Sequence, residues 1–153
     1  MLPNLPTLFR SLISSFYRNS SLAILVYAID NEESFKNISS WLTELKKQAS
    51  PEIKTILVGN KCDLESNREV TKDDAEKLRK EKNMDLFFET SAKTGYNAKN
   101  ILVESAKMLF KEYLEYQKKH GKNAVYGNSA EANAKRMNLQ SDDINRKNFC
   151  CSS

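Results

Sequence analysis

A run of polar side chains near the middle of the chain has the composition of a site that could read a nucleobase. The run is Val58-Gly59-Asn60-Lys61-Cys62-Asp63-Leu64, and it follows an apolar stretch that predicts a strand. An aspartate there can accept two hydrogen bonds from a base edge with two adjacent N–H donors, as guanine has, whereas adenine would oppose a lone pair to the carboxylate. A polar turn between a strand and a helix has a similar composition, so this motif alone leaves both interpretations open.

A second polar motif, Glu89-Thr90-Ser91-Ala92-Lys93, follows the next predicted strand. The carboxyl ends of parallel strands lie at one edge of a sheet, which is where ligands bind in open α/β folds. We therefore expect the two loops to converge on one side of the sheet.

The elements that must position these loops alternate between strands and helices. Apolar runs predict strands over 22–29, 53–59 and 86–88, and the first run has the continuous apolar character of a strand buried on both faces. This alternation predicts right-handed βαβ units, hence an α/β fold with a parallel sheet.

Three amphipathic segments predict the helices. The first follows the capping residues Asp30 and Asn31, and the second runs from a capping box at Thr71 to about Lys82. The third covers about 97–119. The first helix is predicted to carry an apolar stripe at Phe35, Ile38, Leu42 and Leu45, and the third one at Leu102, Ala106, Leu109 and Tyr113.

The two polar motifs resemble the guanine-specificity motifs of the Ras-like small GTPases. The matching residues are Asn60-Lys61-Cys62-Asp63 and Glu89-Thr90-Ser91-Ala92-Lys93, each after a strand, with a long helix after the second. The resemblance implies GTP or GDP as ligand and a truncated domain of the P-loop NTPase type. The guanine-binding residues that it implies are Asn60, Lys61, Asp63, Ser91, Ala92 and Lys93.

The resemblance also implies a role for each of these side chains. Asp63 would hold the guanine edge, and Asn60 would tie the two loops together. The stem of Lys61 would lie over the base. The backbone N–H of Ala92 would meet the guanine oxygen, and Lys93 would pack beside the base.

Further similarities are to the Rab branch of this family. Residues 9–13 and 17–20 resemble the end of the Rab switch II segment and its helix, and Ser34, Phe35 and Trp41 match the Rab pattern in the next helix. The resemblance covers about residues 9–119. It implies GTP-dependent control of vesicle traffic on the cytosolic face of endomembranes, with trafficking effectors as partners. The Gly95-Tyr96-Asn97 run leans toward Golgi-associated members.

The end of the chain differs in character from the rest. Residues 1–120 are predicted to form the domain, and residues 121–153, with few large apolar side chains, a flexible tail. The tail ends in Cys150-Cys151-Ser152-Ser153, which by itself fits either a lipidation signal or a chance pair of exposed cysteines. Behind a Rab-like domain it resembles the double-prenylation ending, which implies escort and prenylation machinery as partners and a membrane anchor.

No phosphate-binding loop is present in these 153 residues. Such a loop needs glycines five apart followed by Lys and Ser or Thr, and none of the four glycines stands five from another. The family's magnesium-binding and water-positioning residues are also missing. We therefore expect an N-terminally truncated domain that has no catalytic residue, does not support magnesium binding and does not hydrolyse GTP by itself. Whether Met1 is the true start is left open.

Composition limits the other classes of function. A net charge of +4 with acids and bases interleaved is too weak to indicate a nucleic-acid partner. One histidine, the isolated Cys62 and the adjacent pair Cys150-Cys151 predict neither a zinc site nor a disulfide framework. The alternative to a GTPase is a non-enzymatic, lipid-anchored interaction module, or a partial gene product, that competes for Rab partners.

Overall fold

The computed structural model describes Tyr17 and residues 20–121, in which strands and helices alternate. The elements are β1 (Leu22–Ala28), α1 (Glu32–Gln48), β2 (Lys54–Asn60), α2 (Lys72–Glu81), β3 (Leu86–Glu89) and α3 (Ala98–His120). A 3-10 segment, Cys62–Asn67, follows β2. The division at residue 121 stays a prediction, because nearly all of the predicted tail lies outside the described residues.

The three strands form one parallel sheet in the order β1-β2-β3. In its register Val26 lies beside Val58, and Val58 beside Phe88. Gly59 near the end of β2 is paired with Glu89 at the end of β3, so the two polar motifs leave the sheet at the same edge. The predicted α/β fold with a parallel sheet is confirmed.

Helix α1 covers one face of the sheet with the predicted stripe. Ile38, Leu42 and Leu45 are each at most 3% exposed and lie in one core cluster with β1 and β2 residues. The helix begins after Asn31, whose side-chain oxygen accepts a hydrogen bond from the Ser34 N–H at 2.7 Å. Both the stripe and this cap follow from local sequence.

Helix α3 covers the opposite face with a different stripe from the predicted one. Its buried residues are Ile101 and Ser105, and Ile101 packs with Ile56 and Val58 of β2. Leu102 of the predicted stripe is 66% exposed. The prediction was wrong because apolar side chains flank this helix on two adjacent stripes, and spacing alone does not show which of them meets the sheet.

Strand β1 is buried on only one of its faces. Ile24 is 40% exposed and Val26 is 54% exposed, although both were predicted to be buried. Both side chains lie on the face of the sheet that α3 packs against. The helix contacts β2 and β3 on that face but does not cover these two residues. Within the described residues β1 also has a single neighbouring strand. In the described residues the continuous apolar run therefore belongs to an edge strand with one covered face.

Among residues 20–121, no helix combines the length and apolar character that crossing a bilayer requires.

Candidate functional site

The two polar loops are joined by direct hydrogen bonds. Asn60 Oδ1 accepts a bond from the Ala92 N–H at 3.1 Å, and the Cys62 N–H donates to the Thr90 carbonyl at 3.0 Å. Just before them, the Thr90 N–H donates to the Gly59 carbonyl at 2.8 Å and extends the pairing of β2 with β3. The side chain of Asn60 thus forms a direct link between the two loops.

Asp63 and Ser91 bring a carboxylate and a hydroxyl together across the loops. Ser91 is 1% exposed, and its Oγ accepts a hydrogen bond from the Thr94 N–H at 3.1 Å. Asp63 is exposed. A hydrogen bond from the Ser91 side chain is the main cause that lowers the pKa of the Asp63 carboxyl, and Lys93 and Lys61 act in the same direction. At neutral pH the site therefore presents an ionised, accessible carboxylate.

Lys61 and Lys93 place two cationic side chains beside that carboxylate. Lys61 has a left-handed backbone, with φ 64°, and its Nζ lies 2.9 Å from Oδ2 of Asp30, two residues after β1. Lys93 and Ala92 are exposed. All six residues that the sequence predicted therefore lie at one end of the sheet.

Gly59 lets the chain pass close to a buried aromatic ring just before the first loop. A Cβ at this position would lie 2.7 Å from the Tyr27 hydroxyl oxygen and 3.2 Å from Ile29 Cγ2. Tyr27 is 2% exposed and packs edge-on against Phe35, with ring centroids 4.9 Å apart. A larger residue would displace either the ring or the start of the loop.

Two charged residues that support the loops were missed from the sequence. Asp30 was considered only as a helix cap, yet it holds the ammonium group of Lys61. Arg68 was given no role, yet it pairs with Glu65 and with Glu89, the first residue of the second motif. The three-residue spacing of Glu65 and Arg68 could have indicated the first pair, whereas nothing local indicates the second.

A cleft of about 610 Å³ borders the loops. Asp63 and Ser91 contribute to its wall, together with Phe88, Tyr96 and Asn97. Asn60, Lys61, Ala92 and Lys93 do not line it, so the cleft adjoins the predicted guanine-binding residues and does not coincide with them.

Comparison with known proteins decides the family. The sequence model of the Ras family matches residues 7–111. The chain belongs to the Ras family. Because this match includes both loops and the whole sheet, the motif resemblance and the fold have one explanation.

Similar curated proteins carry Rab names, in agreement with the predicted branch. The chain is 41% identical over 104 residues to the Ras-related protein Rab-2B of Dictyostelium discoideum, covering 68% of this chain and 51% of that protein. It is 41% identical over 105 residues to Rab-13 of Bos taurus, covering 63% and 51%. It is also 42% identical over 101 residues to Rab-4 of Dictyostelium discoideum, covering 66% and 49%. The chain spans about half the length of these relatives.

Proposed function

We propose that this chain carries the guanine-reading half of a Rab-type GTP/GDP site. The observation that carries the proposal is the joining of the two loops through Asn60 and Ala92, which sets the Asp63 carboxylate next to Ser91. The six proposed base-binding residues are those predicted from the sequence.

The donors and acceptors at this edge fit guanine better than adenine. The ionised Asp63 carboxylate can accept from both adjacent N–H groups of guanine, whereas adenine places an acceptor at the matching ring nitrogen. The Ala92 N–H is the proposed donor to the guanine oxygen. In the structure it donates to Asn60, and since Ala92 is exposed, a bound base could share that hydrogen.

Base contacts alone are expected to give weak binding. Loss of free translation and rotation costs about 4–15 kcal/mol, so a base held without its phosphates should bind at roughly millimolar concentration. The 153 residues contain no phosphate-loop pattern that would add to this. GTP and GDP are therefore proposed as ligands through their base, and magnesium has no proposed ligands here.

The affinity of the 153-residue chain is expected to depend little on the number of phosphates. Guanosine, GMP, GDP and GTP should perturb the NMR shifts of 60–63 and 91–93 at similar concentrations. AMP, with the same phosphate as GMP, is the control for base choice. A GTP affinity orders of magnitude above that of guanosine would reveal a phosphate site. So would single-turnover phosphate release from GTP above a buffer control, if Asp63→Ala abolished it.

The wider role that we propose is the Rab role of GTP-dependent control in vesicle traffic. It includes trafficking effectors, prenylation escort machinery and the cytosolic face of endomembranes, with the Golgi as one candidate. Cys150 and Cys151, the proposed lipidation sites, lie outside the described residues. One lipid chain gives only marginal, reversible membrane binding, so we propose that both thiols carry prenyl groups.

The cysteine pair is expected to direct residues 121–153 to membranes in a cell. A fluorescent protein fused to this segment should be membrane-bound, and the Cys150→Ser, Cys151→Ser double variant should be cytosolic. The control is Ser152→Ala with Ser153→Ala, which keeps both thiols and should remain on membranes. Membrane retention of the cysteine double variant, or two free thiols by mass spectrometry, would contradict the lipid anchor.

A further inference from the structure

Arg68 follows the 3-10 segment, and all of its side-chain hydrogen-bond donors are in use. A guanidinium has five N–H donors in a fixed plane. Its Nε and NH2 groups donate to the two Glu65 carboxylate oxygens at 2.8 and 2.6 Å. NH1 and NH2 donate to the two Glu89 oxygens at 2.6 and 3.1 Å, and NH1 also reaches the Val70 carbonyl at 2.9 Å. One side chain thus bridges two carboxylates and a backbone carbonyl.

The two carboxylates belong to the two loops that would read the base. Glu65 stands two residues after Asp63 in the 3-10 segment, and Glu89 stands two residues before Ser91. The side chain of Arg68 is 13% exposed and that of Glu89 is 9% exposed, so water screens this pair poorly. The guanidinium therefore links the two segments through contacts that are separate from the hydrogen bond between Asn60 and Ala92.

We propose that Arg68 is a positioning residue for guanine selectivity, which holds the Asp63 segment in register with Ser91. The inference rests on the proposed base site. Lysine keeps the charge of arginine but has three donors on a flexible stem, so it cannot bridge the two carboxylates and the carbonyl at once. Arg68→Lys is therefore expected to weaken the contacts that hold the two loops together, while the net charge stays unchanged.

Arg79 provides a matched control within the same chain. Its Nε and NH2 groups donate to both Glu76 oxygens at 2.9 and 2.7 Å, and its NH1 donates to the Met84 carbonyl at 3.0 Å. Arg79 lies in α2, and none of these partners belongs to either loop. Arg79→Lys thus disturbs a similar arginine arrangement without touching the base-reading residues.

The first measurement needs no ligand. Amide hydrogen exchange is followed in the full chain, in Arg68→Lys and in Arg79→Lys. Arg68→Lys should exchange faster at the Cys62 and Ala92 amides, which join the loops, while the fully buried Leu57 keeps its protection. Arg79→Lys should leave both loop amides unchanged. Equal exchange at Cys62 and Ala92 in all three proteins would overturn the positioning role.

The second measurement compares GMP with IMP, which lacks the 2-amino group of guanine but carries the same phosphate. Arg68→Lys should lose the preference of the unmodified chain for GMP, and Arg79→Lys should keep it. Equal weakening of both nucleotides in Arg68→Lys would show a structural role only and overturn the proposal. If the unmodified chain prefers neither nucleotide, the proposed base site fails, and hydrogen exchange still decides whether Arg68 joins the loops. Should Arg68→Lys not fold, Glu65→Gln replaces it, because it alters an exposed partner of the same guanidinium.

Discussion

Asp63→Asn is expected to change the base preference of the chain from guanine to xanthine. An asparagine side chain keeps one oxygen acceptor but replaces the other acceptor with an N–H₂ donor. Guanine presents its 2-amino group to that position, whereas xanthine presents a carbonyl. The new amide N–H₂ would face the guanine 2-amino group, donor against donor, but it can donate to the xanthine carbonyl. The XMP-to-GMP affinity ratio should therefore rise by roughly tenfold or more.

NMR titration with GMP and XMP measures this ratio directly. Asp73→Asn is the matched control, because it removes the same charge from an exposed position in the first turn of α2 that belongs to neither loop. It should change neither affinity. A GMP preference that survives in Asp63→Asn would place base recognition elsewhere on the chain.

Gly59→Ala is expected to have the largest effect on stability. The new Cβ would stand 2.7 Å from the Tyr27 hydroxyl oxygen and 3.0 Å from the ring carbon that bears it. The ring cannot swing away, because Tyr27 is buried and packed against Phe35. Overpacking of this kind costs about 1–3 kcal/mol or more, a large share of the 5–15 kcal/mol that is typical of a folded domain.

Tyr27→Phe in the same chain should restore part of that loss. The Tyr27 hydroxyl has no hydrogen-bond partner among the described residues, and burial raises its pKa, so removing it should leave the core intact. Only part is restored, because the ring carbon and Ile29 remain close to the added methyl group. Urea unfolding measures each variant, with Tyr96→Phe as a control at a residue that is 59% exposed. Equal stability of Gly59→Ala and the unmodified chain would disprove the close approach.

Features that depend on neighbouring residues could be predicted from the sequence. Thr71 accepts the Asp74 N–H at 3.1 Å, as the capping box indicated, and the stripe of α1 faces the core. The six proposed base-site residues could be named because family motifs fix their order along the chain. The parallel sheet then brings them together at one edge, since parallel strands end on the same side.

Features that depend on distant partners could not be predicted in this way. The ion pair of Arg68 with Glu89 joins residues that meet only after β3 has paired, and Lys61 reaches Asp30 across β1 and β2. The exposed face of α3 and the exposed side of β1 depend on how far the helix extends over the sheet. Hydrophobic spacing indicates that a face is apolar, but not which element covers it.

The parallel order of the strands also determines when the proposed base site can form during synthesis. Leu22 pairs with Lys54, and Ile56 pairs with Leu86, in each case about 30 positions apart. Pairs this far apart in sequence raise the contact order. The chain loses the entropy of closing a long loop before the paired strands stabilise it, which slows folding. Ser91 comes after the last strand, so a nascent chain must release β3 from the ribosome before its two loops can meet. A guanine nucleotide could therefore bind at the proposed site only after β3 has paired with β2.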